Sequence, residues 1–121
     1  MTISPDPRLR SPDEAVKHSE EAVTLKPRNA DFRNTLALAR YRDGDLGGAI
    51  EALEHNMRSR EGGIVDDWLV MAMVQSRLGH TEDAREWYEK AIAWFEADHV
   101  HGRRLALMRA EAEAVLVEGE K

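Results

Sequence analysis

The chain of 121 residues contains no cysteine, which excludes disulfides, thiolate metal sites and thiol catalysis together. It has no excess of positive charge. Lys and Arg number 17 against 23 Asp and Glu, giving −6, with the signs interspersed, so no basic stripe could track a phosphate backbone and nucleic acid is not an expected partner. It has no long apolar run either: Trp68 to Val74 is the longest and is far too short to span a bilayer. The opening "MTISPDPRLR" lacks the apolar stretch of a secretion signal, so residence in the cytoplasm is expected. What is present, 42% hydrophobic and 33% charged residues, describes one soluble domain with a single modest core.

The stretch "DGDLGGAIEALE", Asp43 to Glu54, fits two descriptions. As a twelve-residue calcium loop it has acids at the first and third places, Gly at the sixth, Ile at the eighth and Glu at the twelfth. As a corner followed by an amphipathic helix, it places Asp43-Gly44-Asp45 in a turn and the rest on a helix face. The neighbourhood favours the second reading. Ala15, Ala49 and Ala84 open similar apolar patterns at intervals of 34 and 35 residues. Gly44 recurs as Gly79, Leu36-Ala37 as Met71-Ala72, and Ala22, Asn56 and Ala91 each follow seven residues after those alanines. The register requires helix from Leu46 to Met57, whereas a calcium loop must keep its first nine residues out of helix.

Within each unit the apolar spacing is helical. Six helices are predicted, over 12–25, 30–42, 46–59, 64–77, 81–97 and 103–117, with Ser11-Pro12-Asp13-Glu14 as a capping box, Asn29 and Thr81 as N-caps and Pro27 closing the first helix. The glycines of Glu61-Gly62-Gly63 place a non-helical loop there. Alanines at 15, 22, 37, 49, 72, 84 and 91 allow close helix approach. The last helix carries Leu105, Met108, Ala112 and Val115 on one face and is expected to cap the stack.

Leu36-Ala37, Gly44-Asp45, Ala49-Ile50 and Leu53, followed by Trp68, Met71-Ala72, Gly79, Ala84, Tyr88 and Ala91, resemble the tetratricopeptide repeat (TPR) over residues 12–97. Ala15, Ala22 and Pro27 match the second helix of a preceding unit. The resemblance implies an all-α fold, an α-solenoid of antiparallel helix hairpins: two full units, a preceding half unit and a capping helix. In domain terms this is a flexible lead over 1–11, repeats over 12–101, and cap and tail over 102–121. The chain departs from the family pattern at Arg33, where a large aromatic is usual, at Arg40 and Gln75 for tyrosine, and at Asn56 for alanine. "DPRLRSPDEAVKHSEEAV", "NTLALARYRDGD" and "HTEDAREWYEKAIAWFE" look like short repeat segments of large bacterial multidomain proteins such as serine/threonine kinases.

The resemblance also implies a role, a scaffold or adaptor module, and a site. First helices of such units line an inner groove, which here selects Asp31, Asn34, Leu38, Tyr41 and Arg42, then Asp66, Leu69, Met73, Ser76 and Arg77. Leu38, Leu69 and Met73 stand where chaperone-binding relatives carry a carboxylate clamp, leaving an apolar floor with Leu38, Tyr41, Leu69 and Met73 flanked by two arginines. That suits a peptide or amphipathic helix, unless the chain's own N-terminal helix covers the floor. Self-association through the uncapped N-terminal face is the second reading. No catalytic set is expected: the histidines of His99-Val100-His101 sit two apart with no cysteine and only Asp98 close by, Asp66-Asp67 is explained by the helix dipole, and no glycine pair has a phosphate loop's lysine. No metal or cofactor is expected. Trp87 and Trp94 are read as core.

Overall fold

The computed structural model describes residues 12–25, 30–59, 61–97 and 101–119. All regular structure among them is helical: α1 (Pro12–Leu25), α2 (Ala30–Arg42), α3 (Leu46–Ser59), α4 (Val65–Arg77), α5 (Thr81–Glu96) and α6 (Arg103–Gly119). Ser11, Pro27 and Asn29, expected to start or stop helices, and the 1–11 lead lie outside the described residues.

Two corners repeat the same hydrogen bonds. Gly44 N donates to Tyr41 O at 3.1 Å and Asp45 N to Arg40 O at 2.8 Å; Gly79 N donates to Ser76 O at 3.1 Å and His80 N to Gln75 O at 2.9 Å. This is the two-bond helix stop that requires a left-handed residue, and Gly44 and Gly79 supply φ of 88° and 84°. Each corner has the same length, so α2–α3 and α4–α5 fold back alike.

Start signals are local. Asp45 caps α3: its Oδ1 accepts from Gly48 N at 3.0 Å and its carbonyl from Ala49 N at 3.0 Å. At α4, Asp67 Oδ2 reaches back to Ile64 N at 3.1 Å. Thr81 was expected as an N-cap; it is instead the first residue of α5, and His80 holds the cap position without a side-chain cap bond. His80 Nδ1 lies 2.7 Å from Gln75 Oε1 instead. The Gly62-Gly63 loop is anchored, since Trp68 Nε1 donates to Gly62 O at 2.9 Å.

Packing follows the small residues. Ala37, Ala49, Ala72, Ala84 and Ala91 are buried, and large apolar side chains fill the space between the axes they bring together. Each helix packs on the next in sequence, α2 also touches α4, and α6 lies against both α4 and α5. Trp87 and Trp94 are half-buried against this core rather than enclosed by it. Lys90 Nζ stands 4.7 Å above the Trp68 ring and 5.4 Å above Trp87.

Two of the departures, Arg33 and Asn56, form one buried network with Asn34 and Asp67. Arg33 Nε donates to Asn56 Oδ1 at 2.7 Å, Asn56 Nδ2 to Asp67 Oδ1 at 3.1 Å, and Asn34 Nδ2 to the same oxygen at 3.0 Å. Asp67 is 0% exposed, so its role goes beyond the helix dipole offered for it from sequence: it ties α2, α3 and α4 together.

Candidate interaction face

The ten residues selected from sequence all fall on α2 and α4, but α6 has changed what they do. Asp31 belongs to α2, with its side chain outside the described residues. Asn34 is buried and spent on Asp67. Leu69 and Met73, expected as an open apolar floor, are both 0% exposed and share one core with Met108, Ala112 and Val115 of α6. The physical reason is a match between two apolar stripes, that of α6 and that of α4. The N-terminal helix, named as the possible cover, packs against α2 alone among the described residues.

Polar groups fix the seat of α6. Arg104 donates to Asp66 Oδ2 at 2.6 Å near the start of α4, and Ser76 Oγ donates to Val115 O at 3.4 Å near its end, so α6 runs parallel to α4. Arg42 reaches across from α2 to Glu111 at 2.9 Å. Arg104 and Glu111 are seven residues apart and project from the same side of α6. Arg77 Nε donates to the Tyr41 hydroxyl at 3.2 Å, and that bond, reinforced by Glu118, raises the already high pKa of the guanidinium. At the α5–α6 corner, His101 meets the Phe95 ring edge-on at 4.7 Å and Arg109 lies 5.0 Å over it.

What stays open is a furrow between α2 and α6. These two helices touch only through side chains. The Arg42–Glu111 pair divides the furrow into a cleft of about 630 Å³, lined by Tyr41, Leu46, Arg77, Val115 and Glu118, and one of about 300 Å³, lined by Thr35, Leu38, Arg104, Leu107 and Met108. Its walls carry Arg42, Arg77 and Arg104 against Glu111 and Glu118, so both signs are present. The sequence reading missed the α6 wall; the seven-residue spacing of Arg104 and Glu111 beside the Met108–Ala112–Val115 stripe was the available signal.

Among the described residues no three His, Cys, Asp or Glu side chains come together as a metal site. His99 lies outside them. No described helix is long and apolar enough to cross a membrane.

Residues 68–98 match the family model described as tetratricopeptide repeat. Over 82 residues the chain is 34% identical to tetratricopeptide repeat protein 36 of Danio rerio, a match covering 65% of this chain and 44% of that protein. The chain thus spans less than half the length of that relative. No solved structure matches. The α4–α5 hairpin carries the segment that matches the tetratricopeptide repeat model, and α2–α3 repeats its corner bond for bond.

Proposed function

We propose that this chain is a non-catalytic scaffold or adaptor module that holds a peptide or helix of a partner protein along the concave side of α2 and α4. The observation that carries this reading is the furrow between α2 and α6, where Leu38 is half-buried and Leu107 is 59% exposed beside two arginines, Arg42 and Arg104. Apolar side chains set among charged groups suit a partner segment with mixed character. Membership of a larger bacterial protein with kinase-like relatives rests on the sequence resemblance, and residence in the cytoplasm is proposed with it. The test is partner recovery by wild type and by Leu38→Glu plus Leu107→Glu, with circular dichroism confirming that both fold. A loss of recovery supports the furrow, and equal recovery overturns it.

Self-association through the N-terminal face is the competing reading. It is favoured by α1, which among the described residues packs on α2 alone, and by Leu25, which is 78% exposed. A mass by light scattering that stays monomeric with rising concentration removes it.

A further inference from the structure

α6 does not continue the stack in the way α4 does. Where α4 joins the first hairpin, it packs mainly on α3 and lightly on α2; where α6 joins the second, it packs mainly on α4 and lightly on α5. It is therefore shifted onto the side of α4 that carries Asp66, Leu69, Met73 and Ser76. α6 is also lightly rooted. Only Met108, Ala112, Val115 and Leu116 of its 17 residues are buried, against nine of 13 in α4.

We propose that the face of α4 beneath α6 is a helix-binding surface, that α6 fills it as an intramolecular stand-in, and that the partner is a helix of the same pattern. The pattern is read from the seat itself: a base at Arg104 for Asp66, apolar or small residues at Met108, Ala112 and Val115, and an acid at Glu111 for Arg42. The proposal rests on the interaction reading and deepens it by naming the partner's chemistry and its competition with α6. Without that competition α6 would be a fixed wall. With it, the partner binds only the fraction of molecules in which α6 has left.

A lock distinguishes the two. A Cβ on Gly119 would stand 3.8 Å from the Ser76 Cβ, the usual spacing across a disulfide of about 3.8 Å. The chain has no cysteine of its own, so Ser76→Cys plus Gly119→Cys gives one defined bond. The probe is a fluorescent synthetic peptide of residues 103–119, titrated into the full-length double variant. The reduced protein should bind it saturably, and oxidation should weaken binding about tenfold or more because the open fraction falls. A peptide carrying Met108→Glu and Val115→Glu should not bind. No binding by the reduced protein, or binding unchanged by oxidation, overturns the proposal. In wild type, hydrogen exchange offers a second reading: α6 amides should exchange about tenfold or more faster than those of α4, and equal protection also overturns it. If a cellular partner is recovered equally by locked and unlocked protein, the interaction reading stands and this one falls. If the peptide competes as stated but the furrow variant still recovers its partner, the furrow falls as the site and the α4 face stands.

Discussion

Asn56 Nδ2 donates to Asp67 Oδ1 across 3.1 Å, with both residues shut off from solvent. On its other side Asn56 accepts from Arg33, so one amide mediates between a buried cation and a buried carboxylate. Removing it strips one hydrogen bond from each of two buried charged groups, which costs more than the bonds themselves contribute.

Asn56→Ala, although it restores the residue usual for the family, should therefore destabilise the chain by about 2–4 kcal/mol. Urea unfolding measures this, and a change near zero would mean that the network is not formed.

The glycines separate backbone need from steric need. At Gly44 and Gly79 a Cβ would meet nothing within 4 Å, but φ is positive at both. Alanine at either should cost about 1 kcal/mol, equal and additive. In α3, Gly47 is unobstructed, and Gly47→Ala should gain about 0.5 kcal/mol. At Gly48 a Cβ would strike the capping Asp45 carboxylate, so Gly48→Ala should show no gain despite better helix propensity. Thermal melts of the four single variants and the Gly44/Gly79 pair check the order.

Local features were legible in the sequence. The alanine intervals and the two corner glycines set the helices, because such signals act within a few residues. Thr81 was placed one position off because His80 holds the cap without a side-chain cap bond, so no capping side chain marks the position. Arg33, Asn56 and Asp67 each read as a departure or a dipole effect; their mutual satisfaction depends on contacts across three helices. Likewise the apolar stripe of α6 announced a buried face without saying whose face it meets, and Leu69 and Met73 passed from groove floor to core for that reason.

Calcium should produce no stoichiometric heat on titration into the chain. Asp45 is engaged as the α3 cap, and Leu46 to Glu54, most of the twelve-residue pattern, is helix and cannot wrap an ion. A micromolar site by calorimetry would contradict that.

Deleting residues 102–121 should expose Leu69 and Met73 and cause aggregation or a fall in Tm of roughly 10 °C or more. A soluble deletion with unchanged melting would mean that α6 is not part of the core.

The seat of α6 on α4 is tested most directly by oxidising the Ser76→Cys plus Gly119→Cys chain and mapping the linked fragments by mass spectrometry. A complete bond within each monomer and a raised Tm are expected. Thiols that stay free, or that pair only between molecules, would contradict it.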